Sequence, residues 1–464
     1  MCYSIRQYFG VVSIVGVVWV LSLAPVYAAP SIYPTGTTIY QPDRTWNGYM
    51  IFNSPEFQGA VLIDMNGNTL RRWEEITGFP PKLLPMGHIV GGDLPRPPHQ
   101  ESIALVQLDW DGNEVWRFDR ADQVQTEEGE TIWAARQHHD WQREGNPVGY
   151  YAPGAEPLIT NGRTLILSHK NLTKPEITDK RLEDDYILEV SWTGEILWEW
   201  LASDHVDELG FSEEARNAIY RSVSWNEARQ SADWLHINAA SYVGPNTWYD
   251  QGDERFHPEN VLFSSRESNI IGIIDRSGAI VWRMGPDYRQ TEPLSELGQI
   301  IGQHHPHIIP EGLPGAGNLL VFDNGGSAGY GSANPAAPTG QNSSRRFNSR
   351  VLEINPVTFE KVWEYTIAGL EQFRFFSSYV SAAQRLPNGN TMITEGADGR
   401  IFEVTTEGDI VWEYISPYFE TERPSRNTIF RAYRVPYDWI PQLERPTERA
   451  VVPPSLGDFR IEPQ

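Results

Sequence analysis

One short pattern recurs along the chain and constrains its fold more than any other feature. Each copy has an alternating strand, a polar turn that usually contains glycine, and a second strand that usually ends in tryptophan and a charged residue. Pairs such as Asn-Gly and Asp-Gly occupy the turns, where a β-hairpin needs positive φ. Six copies can be counted: VLIDMNGNTLRRWE (61–74), VQLDWDGNEVWRFD (106–119), ILEVSWTGEILWEW (187–200), IGIIDRSGAIVWRM (271–284), VLEINPVTFEKVWEY (351–365) and IFEVTTEGDIVWEY (401–414).

This repeat predicts an all-β fold, a six-bladed β-propeller. A lone hairpin cannot bury its apolar face, so repeated hairpins pack around an axis or stack in a row. The repeat tryptophans are spaced from 43 residues (Trp73 to Trp116) to 84 residues (Trp198 to Trp282), which is too irregular for a strict solenoid. Propeller blades tolerate such insertions. The alternation places these apolar residues on one face of the strands: Ile63, Leu188, Ile273, Leu352 and Phe402.

The two ends of the repeat array predict how the ring closes. Only one strand, 48–54, precedes the first hairpin, whereas 428–436 reads as a surplus strand after the last hairpin. We expect 428–435 to become the innermost strand of blade one, which leaves no open sheet edge. The predicted organisation is a signal peptide (1–28), the propeller (29–440) and a Pro-rich surface tail (441–464).

The N-terminus has the pattern of a secretory signal peptide. Arg6 precedes an apolar run over 11–23, and Val26, Tyr27 and Ala28 offer a cleavage site. A retained membrane anchor is the alternative, but no second apolar run could span a bilayer. We expect a periplasmic or secreted protein without stable membrane insertion. Since Cys2 is the single cysteine, the mature chain would rely on core burial rather than disulfides.

The charge of the chain excludes several partners. A formal net charge of −24 argues against nucleic acid and against a polyanion bound over the general surface. A local cationic pocket remains compatible with this composition. No cofactor is predicted, and the sequence does not indicate an oligomeric state.

Clustered histidines predict a functional site at one opening of the central channel. The innermost strand of a blade lines the central channel, and three of these strands begin with histidine, in 138–140, 236–238 and 304–307. The alternative is that the imidazoles satisfy buried carbonyls. Converging imidazoles could also hold zinc, with Asp140 as the carboxylate partner. No tight ligand spacing such as HExxH occurs, so we predict no metal site.

The candidate site residues follow from this geometry. Arginine forks suit sulfate, phosphate and carboxylate oxygens, so a cationic mouth would attract an anionic substrate. For Arg345 and Arg346, in a Gly/Ser/Asn-rich insertion, surface ion pairing is the favoured interpretation. The catalytic candidates are His138, His139, His236 and His304. The substrate-binding candidates are Asn238, Arg266, Asn324, Tyr379, Arg400 and Arg431.

At these residues the chain resembles the bacterial arylsulfotransferase family. The matching stretches are HHD (138–140), DWLHIN with VLFSSR (233–238, 261–266), QH with LLVFDNG (303–304, 319–325), SRVLEI with VWEY (349–354, 362–365) and FRAYRVP (430–436). The resemblance implies a periplasmic six-bladed propeller that moves a sulfuryl group from an aryl sulfate to a phenol without a nucleotide donor. It also implies a transiently sulfated channel histidine, assisted by further histidines and an arginine.

The resemblance to the family assigns roles to some residues, but the position of the nucleophile has no histidine. By motif, His236 and His304 match two supporting histidines. Arg400 stands where the family has its nucleophilic histidine, and no histidine follows His307. The nucleophile is therefore missing or relocated, with His138, His139 and His304 as the options. Only Arg345 or Arg346 could replace the family's arginine after DNG.

Three functions fit the sequence. The first is sulfuryl transfer between phenols. The second is a lyase or hydrolase acting on acidic polysaccharide, in which Tyr379, His236 and His304 would serve as acid and base. The third is a non-catalytic binding propeller, which the empty nucleophile position favours.

Overall fold

The computed structural model describes residues 34–126, 129–421 and 425–453. The signal-peptide prediction for 1–28 lies outside these residues. The fold is all-β, with a propeller-like arrangement of antiparallel sheets and few helices. None of the helices in the described residues is long and apolar enough to cross a membrane. The α-helices are Glu213–Ser222, Thr247–Asp250 and Glu292–Leu297. The 3₁₀ turns are Pro55–Phe57, Pro85–Gly87, Ala202–His205, Glu254–Phe256, Gly369–Arg374, Gly396–Asp398 and Tyr437–Trp439.

Each copy of the sequence repeat forms the two outer strands of a four-stranded antiparallel unit. We number the units by their repeats and give their strands from the inside outward. Unit 1 contains Ala432–Val435, Tyr49–Asn53, Ala60–Ile63 and Thr69–Trp73; unit 2 contains Lys82–Leu84, His88–Pro95, Ser102–Leu108 and Glu114–Phe118; unit 3 contains Gln137–Arg143, Thr164–Thr173, Arg181–Val190 and Ile196–Leu201. Unit 4 contains Ile237–Tyr242, Val261–Ser265, Ile270–Ile274 and Ile280–Met284; unit 5 contains His304–Ile308, Leu319–Asp323, Arg350–Ile354 and Lys361–Tyr365; unit 6 contains Ala382–Arg385, Thr391–Glu395, Arg400–Val404 and Ile410–Ile415.

A few further strands extend these units. Units 2 and 3 meet through one pair, Gln137 and Ser102, which merges them into a ten-stranded sheet. The additional strands are Gly36–Tyr40 on the outer edge of unit 6, Trp225–Asn226 and Ser231–Ala232 beside unit 3, and the separate hairpins Asp122–Gln125 with Thr131–Ala134 and Gly326–Tyr330 with Gln341–Arg346.

The C-terminal strand pairs with the start of the chain. Ala432–Val435 runs antiparallel to Tyr49–Asn53 as the innermost strand of unit 1. Part of the segment predicted as a tail also packs on the body, since Val451 and Tyr40 exchange two main-chain hydrogen bonds of 2.8 and 2.9 Å.

The repeat tryptophans connect neighbouring units. In five repeats the indole Nε1–H donates to a main-chain carbonyl at the turn of the next repeat, within 3.2 Å. The pairs are Trp116 to Trp192, Trp198 to Arg276, Trp282 to Pro356, Trp363 to Thr406 and Trp412 to Met65. The last pair runs from the sixth repeat back to the first. The predicted alternation is also confirmed, because Ile63, Leu188, Ile273, Leu352 and Phe402 are all fully buried.

Because of these hydrogen bonds, we expect tryptophan-to-phenylalanine substitutions to destabilise the protein by different amounts in different repeats. Trp412→Phe removes a 2.8 Å bond and leaves the Met65 carbonyl with only the weaker 3.2 Å bond from the Thr37 hydroxyl. Trp73→Phe is the matched control, because this indole is also buried but its Nε1 has no acceptor in the described residues. We expect Trp412→Phe to lower the free energy of unfolding by about 1–2 kcal/mol more than Trp73→Phe does. Denaturant unfolding measures both, and equal losses would contradict the role of the bond.

Candidate functional site

A cavity of about 570 Å³ opens where the innermost strands of units 3, 4 and 5 begin. His139, His236 and His304 line it together, so three imidazoles from three separate units converge, as the sequence predicts. Arg266 and Tyr379 also line it.

An unusual backbone conformation marks the start of these strands. His139 and His236 have φ values of 54° and 51°, in the left-handed region that non-glycine residues rarely adopt. His305 in unit 5 and Val380 in unit 6 share it, with φ of 51° and 52°. Such strain costs roughly 1–3 kcal/mol per residue and is typically kept at functional sites. The same conformation therefore recurs near the start of the innermost strand in four units.

His236 and Asp233 form a carboxylate–imidazole pair at the cavity wall. His236 Nδ1 lies 2.6 Å from Asp233 Oδ2, so Nδ1–H donates to the carboxylate and Nε2 is left for the cavity. Burial raises the pKa of Asp233, but His236, His169 and Arg229 outweigh it and hold the pKa below its usual range. Asp233 therefore remains an anion that orients the ring of His236.

His304 is held by two oxygen acceptors. Its Nδ1 lies 2.8 Å from Asn324 Oδ1 and 3.1 Å from the Gly302 carbonyl. Asn324 is itself oriented, because its amide nitrogen donates to the carbonyls of Ser377 and Val380. These contacts place the proton on Nδ1 and leave Nε2 unprotonated. Burial, with the charge of Arg266, lowers the pKa of His304 well below its usual value and keeps the ring neutral.

His138 orients His139. His138 Nε2 lies 3.0 Å from the Ser168 carbonyl, which can only accept, so this nitrogen carries the proton. His138 Nδ1 is then an acceptor for His139 Nδ1–H, 2.7 Å away. His139 Nε2 makes no hydrogen bond with the described residues and retains its lone pair. Burial, followed by the charge of neighbouring histidines, lowers the pKa of both rings well below the usual value.

Aromatic rings form the apolar part of the cavity. Phe79 and Phe430 lie 4.5 Å apart between ring centroids, and both contact the ring of His139 at 5.2 and 5.4 Å. Trp225 and Tyr379 add further aromatic surface. Such walls suit a planar aromatic ligand held by ring contacts.

The predicted cationic mouth is not found, because the cavity is lined by both arginines and carboxylates. Arg229 and Arg266 line the cavity, but carboxylates also line it, and both arginines are partly neutralised. Arg266 contacts Glu267, and Arg229 lies 3.1 Å from Glu183. Positive charge is therefore offered locally by Arg266, whose side chain is 21% exposed, rather than by the whole mouth.

Arg266 should control the affinity for anionic ligands. Charge-assisted hydrogen bonds contribute about 1.5–3 kcal/mol, so Arg266→Met should raise Kd for an aromatic anion roughly 10- to 150-fold, or KM where the anion is turned over. Arg345→Met is the control, since Arg345 is exposed outside the cavity and bonds Ser327. Steady-state kinetics measure both variants. A KM that is unchanged in Arg266→Met, or equally raised in Arg345→Met, would refute this assignment.

Several predicted substrate-binding residues are not brought into the cavity. Arg400 is buried between Glu395 and Glu413, at 2.9 and 2.6 Å, so its guanidinium already has carboxylate partners. Asn238 is buried and donates to the Gln303 carbonyl. Asn324 accepts a hydrogen bond from His304 and contributes only by orienting that ring. Arg346 forms an ion pair with Asp323.

Asp140 and Arg431 belong to a buried ion cluster in the centre of the fold. Asp140 lies 2.7 Å from Lys82 Nζ and 2.9 Å from Arg431 NH1, and all three side chains are at most 1% exposed. Burial lowers the pKa of Lys82 to about 8, although Asp140 beside it raises it. These contacts assign Asp140 and Arg431 to structure rather than to direct substrate binding.

Two groups of side chains have the composition of a metal site. His138, His169 and Asp185 offer ligand atoms within 4.8 Å of one another, and so do His99, Glu101 and Glu183. The rings of His138 and His169 stack at 3.6 Å and 12°, so their in-plane lone pairs run parallel instead of converging. In the second group, Arg136 lies 3.1 Å from Glu101 and already supplies the positive charge. The parallel rings of the first group and the guanidinium in the second both disfavour a metal ion.

Sequence reasoning missed Asp233, Phe79 and Phe430. Asp233 stands three residues before His236 within the stretch DWLHIN, and this spacing could have indicated the pair. Phe79 and Phe430 lie far apart in sequence and meet only through the fold, so no local pattern indicates them.

A comparison with curated protein sequences gives no significant match. Among solved structures, a Bacteroides caccae protein of unknown function matches with 12% identity and a TM-score of 0.42, over 84% of this chain and 99% of that one. A streptogramin B lyase matches with 13% identity and a TM-score of 0.36, over 86% of each chain. These scores are too low to carry an argument.

The family comparison is decisive. The model of the arylsulfotransferase (ASST) family matches residues 157–434, more than half of the chain. This span includes His236 and His304, with their partners Asp233 and Asn324, together with Arg266. The chain belongs to the arylsulfotransferase (ASST) family.

Proposed function

We propose that this protein transfers a sulfuryl group from a phenolic sulfate ester to a phenol acceptor without a nucleotide donor. The observation that carries the proposal is the convergence of His139, His236 and His304, each with Nδ1 engaged, on one aromatic-lined cavity. Family membership supports the same reaction class.

The fold proposed for this reaction is a closed ring of six blades. Six four-stranded units follow one another along the chain, and Ala432–Val435 completes the unit that begins the array. The hydrogen bond from Trp412 to Met65 joins the last repeat to the first. A closed ring would hold the three imidazoles at fixed positions around one axis.

In this proposal the donor's aromatic ring packs against Phe79 and Phe430, and Arg266 binds sulfate oxygens. The Asp233–His236 pair serves as acid and base: protonated His236 gives its Nε2 proton to the departing phenolate oxygen and later takes the proton of the acceptor phenol. Neutral His304 adds an oriented nitrogen beside the transferring group, where its Nε2 accepts a hydrogen bond from the acceptor hydroxyl.

The direct test is incubation of the purified protein with an aryl sulfate, with and without a second phenol. The proposal predicts release of the donor phenol and appearance of the acceptor's sulfate ester, in equal amounts and dependent on the acceptor. Absence of transfer over a broad panel of donors and acceptors would refute it. Release of inorganic sulfate instead would indicate a sulfatase.

A lyase acting on acidic polysaccharide is the second candidate, because Tyr379 lines the same cavity as His236 and Arg266. Tyrosine and histidine could then remove and supply protons at a uronate. Ultraviolet absorbance of an unsaturated product from uronic-acid polymers would support it.

We also propose that the protein is exported to the periplasm or secreted, on the strength of the N-terminal Arg6, apolar run and Val26–Ala28 pattern. Fractionation of producing cells, followed by N-terminal sequencing, is expected to find a mature chain that begins near Ala29. An uncleaved chain in the membrane fraction would contradict it.

A further inference from the structure

One role in the proposed reaction has no residue at its family position. Arg400 stands where the nucleophilic histidine is expected, and it is held between Glu395 and Glu413. Within the proposed sulfuryl transfer, we propose that His139 Nε2 is the nucleophile that carries the sulfuryl group, and that His138 is the residue that positions it.

The hydrogen bonds around His139 leave one nitrogen for chemistry. The Ser168 carbonyl fixes the proton of His138 on Nε2, and His138 Nδ1 therefore accepts from His139 Nδ1–H. The free lone pair of His139 is then on Nε2, on a ring that lines the cavity. Burial keeps this ring neutral, as a nucleophile requires.

The other two imidazoles are less suited to the role. His236 donates Nδ1–H to the Asp233 carboxylate, and an imidazole oriented in this way suits an acid and base. His304 donates to an amide oxygen and a carbonyl oxygen, and neither can take up its proton when positive charge develops. His139 donates instead to the Nδ1 lone pair of His138, a stronger hydrogen-bond acceptor than an amide or carbonyl oxygen, which better stabilises positive charge on the His139 ring. His139 also lies beside His236, with ring centroids 4.8 Å apart.

The two steps balance without a further reactant. His139 Nε2 attacks the sulfur of the aryl sulfate, the N–S bond forms and the S–O bond to the aryl group breaks. The electron pair leaves on the phenolate oxygen, which takes the proton of His236. In the second step the acceptor phenol oxygen attacks the sulfur, the N–S bond breaks and its electron pair returns to Nε2, while His236 takes the acceptor's proton.

The adduct can be located directly. The full-length protein is mixed with an aryl sulfate in the absence of acceptor, quenched within one turnover under alkaline conditions and mapped by peptide mass spectrometry. A sulfuryl mass increase on His139, lost when a phenol is added before quenching, supports the inference. An adduct on His236, His304 or any other residue overturns it while leaving the proposed function intact. If the wild type transfers nothing, the proposed function fails as well.

Variants provide a second test that does not depend on trapping. Glycine tolerates the positive φ of His139, so His139→Gly should fold. We expect transfer to fall about 10²–10⁴-fold and to be partly restored by added imidazole. His305→Gly is the matched control, because His305 has the same φ but does not line the cavity. Full activity in His139→Gly, or an equal loss in His305→Gly at equal thermal stability, would overturn the role.

The kcat and KM of His138 variants test its positioning role separately. His138→Gln keeps an oxygen acceptor for His139 Nδ1–H, which is weaker than the imidazole nitrogen, whereas His138→Leu keeps no acceptor. We expect kcat to fall about 10- to 100-fold in His138→Gln and further in His138→Leu, with KM nearly unchanged. Equal effects of both variants, or losses confined to KM, would contradict this role.

Discussion

His236→Gln is expected to lower kcat/KM for aryl-sulfate-dependent transfer by about 10²–10⁴-fold. In the proposed reaction His236 supplies a proton to the leaving phenolate and takes one from the acceptor, and glutamine can do neither. The free energy of unfolding should change little, because the side chain of His236 is 18% exposed and, within the described residues, bonds only Asp233 through Nδ1. Steady-state kinetics and denaturant unfolding measure the two quantities.

The acidity of the donor's phenol distinguishes acid catalysis by His236 from a role in binding alone. A donor whose phenol is strongly acidic needs little proton assistance, so His236→Gln should lose much less activity with that donor than with a poorly acidic phenol. Asp233→Asn should show the same trend with a smaller loss, since it removes the carboxylate that orients His236. An equal loss with all donors would contradict the role of His236 as an acid.

Asp140→Asn is expected to destabilise the fold by about 3–5 kcal/mol. The substitution removes the anion shared by Lys82 and Arg431, which lies at 2.7 and 2.9 Å in the wild type. The buried guanidinium of Arg431 then has no carboxylate partner, and Lys82, whose pKa burial already lowers, must give up its proton or stay charged at a high cost. Desolvated charges without a partner cost far more than their pairing contributes. Denaturant or thermal unfolding at neutral pH measures the loss.

An exposed ion pair provides the control. Asp409→Asn also removes one carboxylate charge, from a 2.8 Å pair with Arg44, but the side chains are 63% and 46% exposed. Such pairs contribute about 0–1 kcal/mol, so this variant should be nearly as stable as the wild type. If the two variants lose similar stability, burial is not what makes the Asp140 cluster important.

Much of the fold could be predicted because its repeat is local. The turn glycines and the alternation of the strands indicate each hairpin, and the surplus strand at 428–436 indicated the pairing with Tyr49–Asn53. The role of the tryptophans could not be predicted, because their acceptors lie in the next repeat. The packing of Val451 against Tyr40 was missed for the same reason, since the tail's composition carries no information about its partner.

The site was predictable only in part. Histidines at strand starts identified His139, His236 and His304, because the innermost strands of a propeller face one axis. Whether a polar side chain is available to bind substrate depends on its partners elsewhere in the fold, and the sequence does not indicate those partners. Arg400 is therefore occupied by two carboxylates, and Arg431 is buried against Asp140.

We expect the cavity of His139, His236 and His304 to bind the sulfate ester. A crystal structure with an aryl sulfonate tests it most directly, because its carbon–sulfur bond resists transfer while its charge and shape resemble the donor. The account predicts the aromatic ring against Phe79 and Phe430, with sulfonate oxygens within hydrogen-bond distance of Arg266. A sulfonate bound elsewhere on the protein, with this cavity empty at saturating concentration, would contradict it.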